Sequence, residues 1–410
     1  MLRALKYPNY RLFFGGQIVS LTGTWITTTA TSWLVYRLTG SALLLGVVGF
    51  ASQFPAFLLT PFAGIFVDRW NRHRLLVATQ TLSMITSFVL AVLTLTHTIT
   101  IPLLLIVSVA QGLVNAFDMP TRQAFVVTLI EDKNDLGNAI ALNSSMFNAA
   151  RLLGPTVAGA IIAASSEGWC YLIDGVSFLA VIAALLAMRV QLAPVKTGTA
   201  VSPIEQFKEG WDYAYNHRAI RSIITLIALV CLLGFPYVVL MPIFAATVLH
   251  GGPHTLGFLM TASGCGALLG ALYLAGRRST AGLGPLIPGA GALFGLGLMA
   301  FAFSHVLWLS IVLMVITGFG SMVQVASSNT LLQTIVEDGK RGRVMSFFLM
   351  AYFGTMPFGS LIAGSVSDRY GAPITLAFGG ACCVAGAIWF ATTLSSIEHQ
   401  IAPAYARVDG

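Results

Sequence analysis

The chain has 410 residues, of which 56% are hydrophobic and only 9% are charged, whereas soluble domains carry roughly 25% charged residues. This composition excludes an ordinary soluble globular domain. The formal net charge of +7 is spread along the chain between apolar segments, so it does not indicate nucleic-acid binding.

Twelve segments, called spans 1 to 12, are apolar and exceed the ~20 residues needed to cross a bilayer. Only spans 4 to 6 contain charged residues. In chain order the spans are Leu12–Tyr36, Leu38–Val67, Leu75–Leu95, Ile99–Ile130, Leu136–Ser166, Gly168–Met188, Ser222–Val248, Thr255–Gly276, Ser279–Ser304, Val306–Val336, Val344–Ser367 and Tyr370–Ile397. We therefore expect an all-α membrane protein whose first span is kept, since it is too long for a cleaved signal.

The basic residues indicate an orientation. If the spans alternate, nearly all Lys and Arg residues fall on one side, and only Arg37 and Arg369 fall on the other. The positive-inside rule then predicts that both termini are cytoplasmic. The five cysteines lie within spans and lack metal or redox spacing, so we expect packing roles, with no metal and no other cofactor.

A ladder of polar residues occurs in span 4 and again in span 10. Each ladder advances by four, three and four residues, which places it on one helix face. The first ladder is Gln111, Asn115, Asp118 and Arg122, and the second is Thr317, Ser321, Gln324 and Ser328. A polar face inside a membrane must meet protein or water. The two copies therefore predict a duplicated bundle in which spans 4 and 10 line something polar.

A long polar stretch separates the two copies. The expected domains are a six-helix bundle over 1–190, a cytoplasmic linker over 191–220, a second six-helix bundle over 221–397 and a cytoplasmic tail over 398–410. The linker contains an amphipathic pattern with Ile204, Phe207, Trp211 and Tyr215 on one face. Such a helix is expected to lie on the inner membrane surface.

Two motifs resemble those of the major facilitator superfamily. The loop between spans 2 and 3, with Gly64, Asp68 and Arg69 followed by Arg72, resembles its cytoplasmic gating motif. Span 5 contains Gly154, Pro155 and Gly159, which resemble the antiporter motif of its exporting branches. Three more stretches, Gln17–Gly23 with Trp25, Thr39–Ser41 and Asn115–Pro120, are similar to the subgroup of enterobactin exporters and macrolide-efflux proteins.

The resemblance covers essentially the whole chain, and it implies two six-helix bundles with pseudo-two-fold symmetry that transport by alternating access. It also implies coupling to protons. The chain lacks the Gly-Lys-Ser/Thr phosphate-binding loop, so we do not expect it to hydrolyse ATP or to be an enzyme.

Four ionisable residues within the spans are candidates for proton coupling or gating. Asp118 and Arg151 should lie at similar depth in adjacent spans, as a coupling pair or as a structural ion pair. Asp174, in span 6, is either a coupling acid or a structural partner near the outer interface. Arg122 either joins Asp68 and Arg72 in the cytoplasmic gate or extends to the inner interface.

A substrate cavity is expected along spans 1, 4, 7 and 10. Span 1 presents a polar stripe, although threonines in membrane helices often bond only their own backbone. Span 7 presents aromatic and adaptable side chains around two prolines. The predicted cavity residues are Gln17, Ser20, Thr24, Thr28, Gln111, Asn115, Phe235, Tyr237, Met241, Ser321, Gln324 and Ser328.

The function that we expect is secondary active export of a medium-sized amphiphilic compound, such as a drug or a siderophore. The expected partners are this substrate, protons and membrane lipid, for a protein that acts as a monomer without nucleic acid. The alternatives are an ion-independent lipid transporter, such as a lysophospholipid flippase, a proton-coupled importer, and a receptor that transports nothing.

Overall fold

The computed structural model describes residues 3–188, 211–277, 279 and 282–409. The side chains at positions 61, 62, 64–66, 68, 69, 133, 338, 339, 395 and 397–409 lie outside this description. Twelve long helices, α1 to α12, occupy the described part of the chain. Their bounds are Pro8–Thr39, Ala42–Arg69, Arg72–Leu95, Ile101–Thr128, Lys133–Ala164, Glu167–Ala187, Arg218–Val248, Pro253–Ala275, Leu283–Ala302, Leu307–Ile335, Asp338–Tyr370 and Ala372–Asp409.

The predicted all-α membrane fold is confirmed. Eleven of these helices, α2 to α12, contain segments long and apolar enough to cross a membrane. The exception, α1, has 32 residues, but its Thr, Ser and Gly content lowers its mean hydropathy. Several of its polar side chains, including those of Gln17, Ser20 and Thr29, are buried within the protein.

Local sequence signals set the short connections between successive helices. After α1, Gly40 adopts a left-handed conformation with φ of 61°, which favours glycine, and α2 begins two residues later. Asn71 caps α3 by accepting a hydrogen bond from the amide of Arg74, and Asp132 caps α5 by accepting one from the amide of Asn134. Such tight turns make neighbouring helices antiparallel.

The chain forms two compact units. Unit 1 comprises Met1–Lys196 together with Ala245–Thr261, so the first part of α8 groups with the N-terminal helices. Inside unit 1, α1 packs on α5 and α6, α3 packs on α4 and α6, and α2 packs on α4. A buried cluster that includes Phe13, Phe125 and Val181 joins these helices.

Unit 2 comprises Thr197–Phe244 together with Ala262–Gly410. Inside it, α7 packs on α11 and α12, and α9 packs on α10 and α12. Gly266 of α8 lies directly against the backbone of Val315 in α10. These pairings repeat the pairings of unit 1 six helices further along the chain, which is the pattern of an internal duplication.

Helix α7 is irregular. It is α-helical over Arg218–Leu229 and Tyr237–Ile243, but π-helical over Val230–Gly234 and Phe244–Val248. Pro236 precedes the second α-helical part. The π-helix is rare and frequently marks functional sites.

The linker is described only at its end. Residues 189–210, including Ile204 and Phe207 of the predicted amphipathic face, lie outside the described residues. Residues 211–216 are helical, and the exposed rings of Trp211 and Tyr215 stack with centroids 6.4 Å apart. The predicted domain boundaries remain predictions.

Candidate functional site

The first polar ladder faces α3. Asp118 is only 2% exposed, and one of its carboxylate oxygens accepts hydrogen bonds from Thr79 Oγ1 at 2.8 Å and Gln80 Nε2 at 2.7 Å. The other oxygen forms an ion pair with Arg122, one turn along α4. Asp118 is therefore both neutralised and hydrogen-bonded, which makes a buried carboxylate tolerable.

The ladder continues two turns toward the N-terminus of α4, at Gln111. Its amide oxygen accepts a hydrogen bond from Thr86 Oγ1 at 2.6 Å. Its amide nitrogen donates to Ser83 Oγ and to Asn115 Oδ1, each at 3.0 Å. Gln111, Asn115 and Asp118 thus belong to one polar interface between α3 and α4, within unit 1.

The predicted pairing of Asp118 with Arg151 is wrong in this structure. Asp118 pairs with Arg122, and Arg151 makes no ion pair with any described residue. Counting residues along the hairpin predicts depth but not the direction in which a side chain points. On α4, Arg122 lies four residues from Asp118 on the same face, so it reaches the carboxylate first.

The cytoplasmic gate is only partly described. The side chains of Asp68 and Arg69 lie outside the described residues, as does the environment of Gly64. Arg72 begins α3, and Arg122, predicted to join the gate or to extend to the inner interface, forms an ion pair with Asp118. The gating role of this loop remains a prediction.

The second polar ladder faces α9, not an open cavity. A Cβ added to Gly297 of α9 would lie 2.6 Å from Thr317 Oγ1, and one added to Gly291 would lie 3.2 Å from the Gln324 side chain. Gln324 is fully buried, and neither atom of its amide has a hydrogen-bond partner among the described residues. The expectation that this ladder lines a substrate cavity is not met here.

The other predicted residues of α10 are also buried. Ser321 is 3% exposed and donates to the carbonyl oxygen of Gly318 at 2.9 Å. Ser328 is fully buried, and its hydroxyl has no partner among the described residues. These side chains lie within unit 2.

The polar stripe on α1 divides into two classes. Gln17 and Ser20 are buried inside unit 1, and the amide of Gln17 has no partner within the described part of the chain. Thr24 and Thr28 are exposed, but each hydroxyl donates to a backbone carbonyl oxygen of the preceding turn. Thr24 and Thr28 are therefore the members of this stripe that remain accessible to a ligand.

The predicted wall on α7 is largely packed inside unit 2. Tyr237 is 3% exposed, and its hydroxyl lies 2.7 Å from Ser263 Oγ. Met241 is 1% exposed. The ring of Phe235 contacts those of Phe294 and Tyr352, each at a centroid distance of 5.7 Å. This aromatic cluster fixes the irregular helix and leaves little side-chain surface free.

Asp174 lies between α1, α3 and α6 and is 2% exposed. One carboxylate oxygen, Oδ2, accepts hydrogen bonds from Thr27 at 2.9 Å and Ser87 at 2.8 Å. The other, Oδ1, has no hydrogen-bond partner among the described residues. Asp174, predicted as a coupling acid or as a structural partner, is thus bonded to two hydroxyl groups and pairs with no cation among the described residues.

The glycines of the α5 motif allow close contacts inside unit 1. Gly154 lies directly against Trp25 of α1. A Cβ on Gly159 would lie 2.7 Å from the carbonyl oxygen of Pro253, at the start of α8. Thr156 Oγ1 lies 2.6 Å from the hydroxyl of Thr261 on α8. The glycines of this motif therefore allow α5 to approach α1 and the start of α8 closely.

Several polar groups of unit 1 were missed by the sequence reasoning. The side chains of α3 that bind Asp118 and Gln111 follow a helical spacing at Thr79, Ser83 and Thr86, which could have been recognised. Near the C-terminus of α1, Arg37 donates to both carboxylate oxygens of buried Glu167, at 2.8 Å and 3.0 Å. Arg37 had been predicted only to lie on the outer side.

The second missed ion pair lies at the start of the chain. Lys6 Nζ lies 2.6 Å from the carboxylate of Asp135, which is 3% exposed and also accepts a hydrogen bond from Tyr7. This hydrogen bond from Lys6 to Asp135 raises the pKa of Lys6 above its usual value. No local pattern in the sequence links Lys6 to Asp135, because they lie on different helical elements.

Twelve long helices in the described residues, the repeated pairings and the buried polar interface of α3 and α4 define a multi-pass membrane transporter of the major facilitator fold. The chain belongs to the transmembrane secretion effector family, whose model matches residues 2–406.

Curated relatives agree with this assignment. The chain is similar to the staphyloferrin A transporter of Staphylococcus aureus, with 28% identity over 362 residues, covering 88% of this chain and 90% of the relative. It is similar to the multidrug efflux pump Tap of Mycolicibacterium fortuitum, with 26% identity over 363 residues and coverage of 85% and 87%. Macrolide efflux protein A of Streptococcus pyogenes shows 22% identity over 377 residues and coverage of 89% and 92%.

Solved structures support the fold alone. A bacterial homologue of the human lysosomal transporter Spinster matches with a TM-score of 0.69 and 15% identity over 98% of each chain. A variant of the peptide transporter POT matches with a TM-score of 0.76 and 12% identity, covering 96% of this chain and 95% of that chain. The predicted resemblance to the superfamily and to its efflux branch is confirmed.

Proposed function

We propose that this protein is a secondary active exporter that moves a medium-sized amphiphilic compound out of a bacterial cell in exchange for protons. The observation that carries this proposal is the family match, which describes a secretion effector and extends over residues 2–406. Relatives named for multidrug efflux, macrolide efflux and staphyloferrin A transport favour a drug or a siderophore as substrate.

Proton coupling is supported by the buried acids of unit 1 and by the lack of a nucleotide-binding loop in the sequence. Ionisable residues inside membrane helices are expensive and are commonly part of transport pathways. One proton that enters across ~100 mV provides about 2.3 kcal/mol, enough for roughly fifty-fold accumulation of an exported molecule.

Direct contact with substrate is proposed for three of the predicted residues that are not buried. Thr24 and Thr28 of α1 are exposed, and Asn115 of α4 is partly exposed. Together they provide hydroxyl and amide groups, which suits the polar part of an amphiphilic compound. The predicted cavity residues that are buried act in packing in this conformation: Gln17, Ser20, Tyr237, Met241, Ser321, Gln324 and Ser328.

The decisive experiment uses the purified full-length protein in proteoliposomes with an imposed proton gradient. Three probes are offered separately: staphyloferrin A, erythromycin and ethidium. Accumulation of at least one probe on the acidic side, abolished by a protonophore and absent from empty liposomes, is the expected result. Accumulation in the opposite direction would identify an importer. Gradient-independent movement of a fluorescent lysophospholipid, with none of the three probes moved, would identify a lipid flippase.

The α5 motif gives a second test. Gly159→Leu would force a side chain against the backbone of Pro253, whereas a Cβ at Gly137 of the same helix meets no atom within 4 Å. We expect Gly159→Leu to abolish gradient-driven transport while the protein still inserts, and Gly137→Leu to behave as wild type. Equal transport by the two variants would show that the close contact at Gly159 is dispensable.

The proposed orientation places both termini in the cytoplasm and the protein in the inner membrane as a monomer. The basic residues are the basis for this orientation. A cysteine introduced beside Arg407 should resist labelling by a membrane-impermeant maleimide in intact spheroplasts. Labelling without lysis would reverse the orientation.

A further inference from the structure

Four acids of unit 1 are almost completely buried: Asp118, Asp135, Glu167 and Asp174 are each 2% or 3% exposed. Three of them have a basic partner. Arg122 pairs with Asp118, Lys6 with Asp135, and Arg37 with Glu167. Among the described residues, Asp174 is the member of this set without a cation.

The described groups that contact Asp174 are uncharged. From α1 and α3 it is faced by Thr27 and Ser87, and Ser177 of its own helix donates to the Asp174 backbone carbonyl oxygen at 2.7 Å. The nearby titratable groups of α6 contact other residues. Cys170 contacts the carbonyl oxygen of Ala158 on α5, and Tyr171 contacts Thr31 on α1.

The oxygen without a partner points toward a glycine. A Cβ added to Gly23 of α1 would lie 2.6 Å from Asp174 Oδ1 and also against Ser177 Oγ. The missing side chain at Gly23 therefore lets Oδ1 lie close against the backbone of α1, beside Ser177 Oγ, an oxygen that can accept a hydrogen bond. This is a geometry in which a protonated carboxyl group can be held.

A carboxylate buried without a cation is strongly unfavourable, and binding a proton removes its charge. Two hydroxyl donors on Oδ2 fix the carboxyl group in place but bring no positive charge. Asp118, in contrast, has a cation beside it, the guanidinium of Arg122. The two acids therefore have different electrostatic surroundings, although both are buried in the same unit.

We propose that Asp174, held by Thr27 and Ser87 beside Gly23, is the proton-binding site of this transporter, and that Asp118 is a structural anion. The proton is bound at Oδ1, and the neutral acid is the form present in this conformation. The proton leaves as a free ion when α1 separates from α6 and water reaches the carboxyl group, which becomes a carboxylate. This inference rests on the proposed proton coupling.

The test has one readout that needs neither substrate nor transport. Infrared difference spectroscopy of the full-length protein in nanodiscs, titrated from acidic to alkaline pH, detects the C=O stretch of a protonated carboxylic acid. At neutral pH we expect a band that is absent from Asp174→Asn and present in Asp118→Asn. A band that persists in Asp174→Asn, or one lost in Asp118→Asn, would overturn the assignment.

A matched pair of glycine variants tests the geometry. Gly23→Ala places a methyl group beside Oδ1 and should shift the frequency of the band. Gly15→Ala, also in α1, adds a Cβ that meets no atom within 4 Å and should leave the band unchanged. An identical band in Gly23→Ala and wild type would overturn the placement of the proton beside Gly23.

The transport readout separates this inference from the proposed function. In proteoliposomes with ethidium, Asp174→Asn should bind the dye yet lose the roughly fifty-fold accumulation that one proton supports across ~100 mV. If the wild type shows no gradient-driven transport of any probe while the Asp174 band is confirmed, the proposed export fails and the proton site stands. If Asp174→Asn still accumulates the dye against a gradient, the site assignment fails and export stands.

Discussion

The α3–α4 and α9–α10 interfaces occupy the same place in the two repeats, yet different forces hold them together. In the first, Asp118, Arg122 and Gln111 form a network with hydroxyl and amide groups of α3. In the second, Gln324 lies against Gly291, and the backbone at Gly320 approaches that at Phe294 closely.

This difference shows what the duplicated ladder preserves. In both units the side chains of the ladder point toward the preceding helix. The residue types at these positions differ between the two units. One interface depends on paired charge, and removing one member leaves the other uncompensated. The α9–α10 interface depends on glycines, which let the two helices approach closely. The buried amide of Gln324 in this interface has no hydrogen-bond partner among the described residues.

The largest expected effect is at Arg122. Arg122→Ala leaves Asp118 buried without a cation, and breaking a buried ion pair in this way costs about 3–5 kcal/mol of folding free energy. We expect a large fall in the thermal unfolding midpoint of the detergent-purified protein. Arg151→Ala is the control, because Arg151 makes no ion pair with a described residue. A similar fall in the unfolding midpoint for both variants would show that Arg122 and Arg151 both compensate the charge of Asp118.

The next effect is expected at Gly320. A Cβ there would lie 2.7 Å from the backbone nitrogen of Phe294 and 2.9 Å from the carbonyl oxygen of Ala290. Since backbone atoms cannot rotate away, Gly320→Ala should cost about 1–3 kcal/mol, as overpacking does in cores. Gly289→Ala, on α9, meets no atom within 4 Å and should be close to neutral. The thermal unfolding midpoints of the two variants are compared in the same assay. Equal midpoints for Gly320→Ala and Gly289→Ala would refute tight packing at this interface.

A smaller loss is expected at Gln111. Gln111→Leu keeps the volume but removes the hydrogen bonds to Thr86 and Ser83, and one such bond contributes about 0.5–1.5 kcal/mol. The double variant Gln111→Leu with Thr86→Val should lose less than the sum of the two single variants. Strict additivity in equilibrium unfolding would contradict a shared network.

The smallest effect is expected at Gln324. Gln324→Leu replaces a buried amide without a described partner by an apolar side chain of similar size, which is nearly neutral or stabilising. The variant should unfold at or slightly above the wild-type midpoint. Clear destabilisation, comparable to that of Gln111→Leu, would mean that the amide of Gln324 makes a bond that the described contacts do not include.

The helices were predictable because membrane spans need long apolar runs, and the duplication was predictable because the ladder repeats in register. The partner of Asp118 was also within reach, because Arg122 lies four residues further along the same helix and on the same face. Residue counting along α4 and α5 gave only the depth of Arg151. The surroundings of Gln324, in contrast, depend on small residues of α9, which a single helix pattern does not reveal.

The lack of a described basic partner for Asp174 could not be predicted from the sequence alone. Its depth in span 6 followed from counting, but its hydroxyl partners come from α1 and α3, far away in the chain. Hydroxyl groups are common in membrane helices and mostly bond their own backbone. Only the packed unit shows which of them bind a carboxylate and that no described basic residue accompanies them.

The length of α6 has a consequence for the surrounding bilayer. Glu167–Ala187 has 21 residues, which at 1.5 Å per residue span about 31 Å, close to the thickness of a typical hydrocarbon core. Trp169 is exposed in its first turn, and aromatic side chains at the ends of membrane helices favour the lipid headgroup region. A thicker bilayer would draw the Arg37–Glu167 ion pair toward hydrocarbon, at a cost of fractions of a kcal/mol for each ångström of mismatch. Lipid chain length is therefore an external variable that acts on this transporter through its shortest N-terminal helix.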